Sequence, residues 1–148
     1  MNFAIKTFNE LTIDELYEIV KSRFEVFVCE QEIIEEQDFD DKDKLCHHVM
    51  LKEDGRIVAY SRIVPKGIGY ENISIGRVLV LNSHRRRGIA QKMMKVALEF
   101  IKNNLNENIV VLSAQEYVKE MYSSVGFKVI SDVYDEVNIP HVKMKIEL

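Results

Sequence analysis

The sequence predicts a single mixed α/β domain, in which a twisted, mostly antiparallel sheet is flanked by helices. Three observations support this fold class: strand-like segments alternate between residues 48 and 81, a strongly amphipathic helix follows at 88–105, and a continuous apolar run comes next at 109–112. A strand that is buried on both faces has such an uninterrupted apolar sequence. The run at 109–112 is therefore expected inside the sheet.

The N-terminal third is expected to contain one strand, one helix and an acidic loop. Asn2 to Phe8 alternates as a strand does, and Thr12 with Glu15 forms a capping box that begins a helix. The face of this helix that docks on the sheet is predicted from helical spacing to consist of Ile13, Leu16, Val20, Phe24, Phe27 and Val28. Eight acidic residues between Glu30 and Asp43 predict a loop with one helical turn.

The remaining elements follow from turn residues and periodicity. Three antiparallel strands are predicted at 48–52, 57–64 and 73–81, and a helix with its apolar residues on one side is predicted at 88–105. Beyond the apolar strand, residues 116–124 are predicted to form a short helix closed by Gly126. Residues 127–137 and 141–148 are then expected to form a closing hairpin with Pro140 at its bend.

Length and composition limit the function classes. A chain of 148 residues with 47% hydrophobic residues is typical of one globular domain, so residues 1–148 are assigned to one domain with one active site. Because no apolar stretch reaches roughly 18 residues and the start lacks a signal-peptide layout, a cytoplasmic protein without membrane contact is expected. The net charge of −4 disfavours nucleic acid as a partner. Cys29 and Cys46 fit no metal-ligand spacing, so no metal is predicted.

A basic turn between a predicted strand and the long helix has the composition of an anion site. It contains His84-Arg85-Arg86-Arg87 and then Gly88, Ile89 and Ala90. The first N–H groups of a helix have no intrahelical acceptor, and the helix dipole adds partial positive charge, so a pyrophosphate can bind there. Gly88 and Ala90 are small enough to let such a ligand approach the backbone. The alternative is a plain turn with a solvated arginine cluster.

This segment resembles the acetyl-CoA signature of the GCN5-related N-acetyltransferase (GNAT) family: Arg or Gln, two residues, Gly, one residue, then Gly or Ala. Arg85, Gly88 and Ala90 match it. The resemblance implies that main-chain N–H groups of the turn hold the CoA pyrophosphate, while the preceding strand pairs with the pantetheine arm and polarises the thioester carbonyl. The residues that it assigns to CoA are Val78, Leu79, Val80, Arg85, Arg86, Arg87, Gly88, Ile89, Ala90, Gln91 and Gln115.

A second similarity lies downstream, where Gln115, Met121-Tyr122 and Gly126-Phe127 resemble the family's Asn…Phe-Tyr-x-x-x-Gly-Phe segment. Gln115 replaces the usual Asn and Met121 the usual Phe, but the spacing is kept. The resemblance implies that Tyr122 serves the departing thiolate. The alternative for Tyr122 is a half-buried core tyrosine.

The two ends of the chain resemble the ElaA branch of this family. The matching segments are Arg23 to Gln31 with Asp38 and Asp41, and Tyr134 with Ile139-Pro140-His141. Together the similarities extend from Arg23 to Met144. They imply a GNAT-like fold and an N-acetyltransferase with acetyl-CoA as co-substrate.

Acetyl transfer to an amine also requires a base that removes a proton from the ammonium form of the amine. The sequence does not identify this base. Many members of the family have a glutamate four residues before the position of Val78, whereas this chain has Ser74 there. Glu30, Asp38 and His48 are the alternatives, because they lie in or next to the acidic loop that is expected to overhang the thioester. The acidic loop could equally be a solvated loop, and the histidine the end of a strand.

The acidic loop also predicts the kind of acceptor. Carboxylates around the entrance favour a cationic amine, either a small molecule or a protein, attacking directly in a ternary complex rather than through Cys29. His141 is expected either to line the pocket or to cap the last hairpin. The alternative function is an acyl-CoA sensor without transferase activity. The protein is expected to be a monomer or a homodimer.

Overall fold

A computed structural model describes all 148 residues and shows one continuous eight-stranded sheet. The strands are β1 (Phe3–Thr7), β2 (His47–Glu53), β3 (Arg56–Val64), β4 (Ile73–Val80), β5 (Ile109–Gln115), β6 (Lys128–Val129), β7 (Tyr134–Glu136) and β8 (Ile139–Glu147). Their order is β1-β2-β3-β4-β5-β8-β6, with β7 also paired to β8. Because only β4 and β5 run parallel, the predicted mostly antiparallel α/β fold is confirmed.

Helices cover both faces of this sheet. They are α1 (Ile13–Arg23), α2 (Ile89–Asn104) and α3 (Lys119–Ser124). Adjacent residues of a strand point to opposite faces, so His47 and His48 of β2 identify the two sides. His47 packs on Phe100 of α2, with ring centroids 5.1 Å apart, while His48 bonds to Tyr60 beside Arg23 of α1. No helix has both the length and the hydrophobicity that crossing a membrane requires.

The predicted apolar face of α1 is wrong for three of its six residues. Ile13 is 88% exposed, Phe24 is 56% exposed and Val20 is 43% exposed, whereas Leu16, Phe27 and Val28 are half-buried. The side chains buried between this helix and the sheet are instead those of Glu15, Ile19, Ser22, Arg23 and Val26. Beyond Arg23 the chain continues as a π-helix, Phe24–Glu30. Apolar periodicity could not find the buried face, because two of its members are charged residues that are buried together with their ionic partners.

The acidic loop is held by buried arginines. Arg23 donates to Asp43 at 2.6 Å and to Asp38 at 3.0 Å, and Arg62 donates to both carboxylate oxygens of Asp40 at 2.8 Å. These hydrogen bonds from Arg62 hold the pKa of the Asp40 carboxyl well below its ordinary value. The loop contains the expected single turn, a 3₁₀ helix at Lys42–Leu45. The carboxylates of Asp38, Asp40 and Asp43 are therefore neutralised by arginines of α1 and β3.

The closing hairpin differs from the prediction. Residues 127–137 do not form one strand, because β6 and β7 are separate and each pairs with β8. The bend lies at Val137 and Asn138, both with left-handed φ angles of 47° and 63°. Pro140 is inside β8, opposite Asp135. The turn is thus made by two residues with positive φ, as in tight hairpins, and not by the proline.

The sheet opens between β4 and β5. These strands pair only at Ile73–Ser74 with Val110–Val111 and diverge beyond that point. Next to the divergence, Arg77 and Val78 of β4 both lie opposite the single residue Ser61 of β3, which is a β-bulge. A bulge bends its strand, so β4 turns away from β5 and leaves a cleft. The opening begins directly after Ser74.

Candidate active site

A cavity of about 770 Å³ occupies this cleft. One wall is β4 from Ile75 to Val80, and the other consists of Ser113 and Gln115 of β5 with Met121 and Tyr122 at α3. A volume of this size is typical of ligand-binding sites. The segments that the sequence singled out, the strand, the basic turn and the tyrosine motif, therefore meet around one space.

The turn between β4 and α2 forms one end of the cavity and presents a row of free N–H groups. The first helical hydrogen bond runs from Lys92 N–H to Gly88 O, and the N–H groups from Arg86 to Gln91 have no acceptor within the protein. Arg86 and Gly88 both have left-handed backbones, with φ angles of 66° and 73°. Such a run of N–H groups before a helix forms a concave anion site.

Gly88 leaves space for a ligand in this turn. A Cβ built on Gly88 would meet no atom within 4 Å, and Gly88 lines the cavity, so the added atom would project into the open site. The residues fit a pyrophosphate for this reason: donors are present, and the volume in front of them is empty of side chains.

The three arginines of the turn have different roles. Arg85 and Arg86 line the cavity, whereas Arg87 does not and donates to Ser83 O at 3.2 Å. Arg85 donates to Val80 O at 2.9 Å and forms an ion pair with Glu30 at 2.9 Å. Of the residues that the family resemblance assigned to CoA, all except Arg87 line the cavity.

The free edge of β4 supplies further donors. Leu81 N–H donates to Val58 O of β3, so the N–H groups that alternate with it point the other way, toward the cleft. Val80 fits this alternation, because its carbonyl group points away from β3 and accepts a hydrogen bond from the Arg85 side chain. The N–H of Val80, on the same side of the strand, faces the cavity without a β5 partner. An extended ligand could pair with this edge as an additional strand would.

Tyr122 combines burial with a free hydroxyl. The residue is 6% exposed, its ring packs edge-on against Phe127 at 6.1 Å between centroids, and it lines the cavity. Its hydroxyl group has no hydrogen-bond partner in the protein, and the hydroxyl oxygen is not completely buried. Burial raises the pKa of this phenol above its ordinary value. The group is thus a neutral hydrogen-bond donor open to the cavity.

The three candidates for the base are not brought together. Glu30 lies outside the cavity and is paired with Arg85. Asp38 lines the cavity, but its carboxylate is bound by Arg23 and by Arg77, each at 3.0 Å. His48 is a core residue that is 1% exposed, and burial lowers the pKa of its imidazole.

His48 also has both ring nitrogens occupied, by Tyr60 Oη at 2.7 Å and by Asp43 O at 2.9 Å. The structure therefore corrects its expected role: His48 helps to hold the acidic loop. Ser74, at the position of the missing glutamate, lies where β4 is still paired with β5 and does not line the cavity. Cys29 is exposed and also lies outside the cavity.

One part of the cavity is polar, and the sequence predicted only one of its residues: His141 was expected either to line the pocket or to cap the last hairpin. His141 does line the cavity, together with Glu36, Arg77, Glu136 and Val137. No spacing pattern in the sequence relates these positions, because they come from a loop, a bulge and a hairpin. The similarity of Tyr134 and His141 to the ElaA branch was the only available signal.

The segment 30–35 crosses the mouth of the cavity and touches three of its sides. Glu30 pairs with Arg85 of the basic turn, Gln31 accepts from Gln115 of β5 at 3.0 Å, and Glu35 accepts from Asn138 of the last hairpin at 3.3 Å. Gln115 thus has a partner in this segment in addition to its position in the cavity wall.

Comparison with known proteins places this geometry in a family. The family model described as an acetyltransferase (GNAT) domain matches residues 8–148. A UPF0039 protein of Schizosaccharomyces pombe is 42% identical, and the alignment covers all of this chain and 98% of that protein. The ElaA protein of Escherichia coli is 33% identical over 95% of this chain and 92% of its own length.

Solved structures agree with these sequence matches. The crystal structure of Escherichia coli ElaA superposes with a TM-score of 0.90 at 32% identity and covers 99% of this chain and 100% of its own. An acyl-CoA N-acyltransferase from Pseudomonas aeruginosa gives a TM-score of 0.89 at 33% identity, with 98% of both chains covered. Family model, relatives and fold concur, and the chain belongs to the GNAT acetyltransferase family, in its ElaA-like branch.

Proposed function

We propose that the protein transfers the acetyl group of acetyl-CoA to a primary amine by direct attack in a ternary complex. The coarser activity, N-acyl transfer, follows from membership of the family. The observation that carries the finer proposal is the row of free N–H groups from Arg86 to Gln91 at the end of a cavity between two diverging strands. Such a row suits the pyrophosphate of a CoA thioester.

The donor is held by main-chain groups. The N–H groups from Arg86 to Gln91 and the N-terminus of α2 bind the pyrophosphate, with Arg85 and Arg86 adding charge at the same end. The free edge of β4 pairs with the pantetheine arm, and its inward N–H groups stabilise negative charge on the carbonyl oxygen. Acetyl-CoA supplies the acyl group as a thioester.

Tyr122 donates a hydrogen bond to the departing sulfur. A phenol with a pKa of about 10 is less acidic than a thiol with a pKa of about 8.5, so full proton transfer is uphill by roughly 2 kcal/mol. Because burial raises the pKa of Tyr122 further, the hydroxyl keeps its proton and acts as a donor. Cys29 takes no part in this scheme, because it does not reach the cavity.

We propose a cationic acceptor, although the acidic loop supports it less than its composition implied. Asp38, Asp40 and Asp43 are bound by arginines and cannot attract a second cation strongly. Glu36 and Glu136 are the cavity carboxylates that remain for this purpose, with 49% and 46% of their side chains exposed. A small-molecule or protein amine could reach them.

A thiol-release assay with acetyl-CoA tests this function. The acceptor panel contains polyamines, amino sugars and lysine peptides, each beside its hydroxyl or N-acetyl analogue as a matched control. Release with amines alone is expected, and the Michaelis constant for the acceptor should rise with salt because attraction between charges is screened. Binding of CoA without release by any amine would favour the sensor. Absence of binding at millimolar CoA would overturn both functions.

A further inference from the structure

His141 and Glu136 lie together on the β5 side of the cavity. His141 belongs to β8, where it pairs in register with Gln115 of β5, and Glu136 ends the neighbouring strand β7. Both residues line the cavity that Tyr122 and the free edge of β4 also line. The Nε2 atom of His141 is 3.4 Å from Glu136 Oε2. No role in the donor site uses either of them.

The hydrogen bond at the other ring nitrogen fixes the state of His141. Its Nδ1 atom lies 2.7 Å from the main-chain oxygen of Ile139. A carbonyl oxygen only accepts hydrogen bonds, so Nδ1 carries the proton. In the neutral ring, Nε2 therefore has a free lone pair, which is the arrangement a general base requires. Glu136 is placed to stabilise the positive charge that the ring acquires when Nε2 takes up a proton.

The surrounding residues hold the imidazole in place. The ring of Tyr134 stacks on that of His141, with centroids 6.2 Å apart and an angle of 25° between planes. The Tyr134 hydroxyl is in turn hydrogen-bonded to Ser113 of β5. Only 6% of the His141 side chain is exposed. The base position is thus supported from β5, β7 and β8 together.

The turn beside this pair is strained. Val137 follows Glu136, lines the cavity and has φ 47°, a left-handed conformation that is rare for a β-branched residue. Asn138 at the second turn position bonds to Glu35 of the segment that crosses the cavity mouth. Backbone strain of this kind is retained where other contacts enforce it, often beside a functional site.

We propose that His141 is the base that deprotonates the acceptor and that Glu136 binds the acceptor's ammonium group, so that the acceptor is a primary ammonium ion. This inference rests on the proposed transferase function and names the acceptor side of its site. The other cavity carboxylates are less suited: Asp38 is bound by two arginines, and Glu36 already has the guanidinium group of Arg77 4.0 Å away.

The proton and bond changes balance as follows. The ammonium group pairs with Glu136 and loses one proton to His141 Nε2, which passes it to solvent. The neutral nitrogen then forms a bond to the acetyl carbon, and the carbon–sulfur bond breaks. The second proton leaves the nitrogen and ends on the sulfur, which Tyr122 meets with a hydrogen bond. The products are the acetamide, free CoA thiol and one solvated proton.

Paired nucleophiles separate this role from a structural one. Ethylamine is almost wholly protonated near neutral pH and needs a base, whereas hydroxylamine is already neutral there and does not. His141→Gln should lower kcat/KM for ethylamine by about 100-fold or more, while its rate with hydroxylamine stays close to that of the wild-type protein. Glu136→Gln should raise the KM for ethylamine more than it lowers kcat. His47→Gln, outside the cavity, serves as the matched control.

A second measurement does not depend on turnover. Nitrogen-15 spectra of the imidazoles in the protein without ligand should show His141 as the Nδ1–H tautomer, assigned as the signal that His141→Gln lacks. Adding ethylamine should shift this signal in the wild-type protein and not in Glu136→Gln. The affinity for CoA, measured by calorimetry, should remain unchanged in both variants, which also shows that they are folded.

The outcomes distinguish this inference from the proposed function. A wild-type protein that acetylates ethylamine, with a His141→Gln variant that is unimpaired or equally impaired toward both nucleophiles, would overturn the inference and leave the transferase standing. An Nε2–H tautomer would overturn it as well. A wild-type protein that binds CoA but releases thiol neither with these two nucleophiles nor with any amine of the acceptor panel would overturn the transferase function, and the acceptor site with it.

Discussion

Arg77 connects the two structural features that create the cavity. It occupies the bulge of β4 with φ 51°, a conformation that costs a non-glycine residue on the order of 1–3 kcal/mol. Its side chain donates to Asp38 O at 2.8 Å and contacts the Asp38 carboxylate at 3.0 Å. One residue therefore lies in the bulge that bends β4 away from β5 and also fixes the acidic loop beside the opening.

Tyr122→Phe tests the donor to the leaving sulfur. The phenyl ring keeps the edge-on contact with Phe127, so the fold and the CoA affinity should be preserved. Loss of a hydrogen bond to a developing thiolate should lower kcat by about 10- to 100-fold. Thiol-release kinetics measure the rate and calorimetry the affinity. An unchanged kcat would show that Tyr122 serves only in packing.

Gly88→Ala tests the pyrophosphate site, with Gly55→Ala as its matched control. Both glycines have left-handed φ angles, 73° and 79°, and open space around a built Cβ, but only Gly88 lines the cavity. Each substitution should destabilise the fold by about 1–2 kcal/mol through backbone strain. Only Gly88→Ala should weaken CoA binding, by about 10-fold, because the methyl group moves the phosphates away from the N–H groups.

Calorimetric titration of CoA into Gly88→Ala and Gly55→Ala measures the two affinities. Equal affinities for CoA would mean that the pyrophosphate does not approach the backbone at Gly88, and the assignment of the basic turn would fail.

Helix α1 shows how an element can bury charge. Glu15 is 4% exposed, accepts from Lys6 at 3.0 Å and from Lys52 at 2.8 Å, and also caps the helix by accepting from Thr12 N–H. About two turns further along the same buried face, Arg23 is fully buried among the aspartates of the acidic loop. These ion pairs fix the rotation of α1 about its axis and leave its apolar residues Ile13 and Phe24 in solvent.

Glu15 makes stability depend on pH. Burial alone would raise the pKa of its carboxyl, but the bonds from Lys52, Thr12 and Lys6 lower it from 4.5 to about 2. A depressed carboxyl pKa stabilises the fold above the unfolded-state value, and this contribution is lost as pH falls toward 2. Since both lysines are partly exposed, the contribution near pH 7 should be about 2–3 kcal/mol.

Urea unfolding of the wild-type protein and of Glu15→Gln measures this effect. The difference in unfolding free energy should shrink by about 1 kcal/mol between about pH 7 and about pH 3.5. A difference that does not vary with pH would show that the variant loses only packing.

At the scale of the molecule, one parallel pairing of two residues joins the halves of the sheet. Beyond it, β4 and β5 are bridged through the segment 30–35, which touches the basic turn, β5 and the last hairpin. Hydrogen bonds between β4 and β5 are therefore missing over most of their length, at the centre of the sheet. A ligand that pairs with the free edge of β4 would restore part of them.

CoA should accordingly stabilise the whole fold. At a concentration about 100-fold above Kd, a ligand that binds only the folded state adds about 2.7 kcal/mol, which corresponds to a rise in Tm of about 5–10 °C for a domain of this size. Thermal unfolding with increasing CoA measures this shift. Gly88→Ala should show a smaller shift than Gly55→Ala. Equal shifts in the two variants would contradict binding at the basic turn.

Much of the fold was predictable because local signals coincide with local structure. The capping box of Thr12 and Glu15, the turns around Gly55 and Gly67, and the periodicity of residues 88–105 give elements that the structure reproduces within a few residues. The candidate donor site was proposed from the sequence for the same reason: strand, basic turn and helix are consecutive in the chain, so one short segment contains nearly all of the residues that line this end of the cavity. The error at Pro140 arose where a proline lies inside a strand.

The sequence by itself determined the fold class, the family resemblance and the position of the basic turn proposed to bind CoA, because backbone donors and helix ends depend on neighbouring residues. Only the tertiary structure decided which charged groups face the cavity. It placed His48 in the core, bound Asp38 to two arginines and brought His141 beside Glu136. These relations join residues far apart in the chain, and whether a side chain is paired, buried or free depends on contacts that no local pattern records.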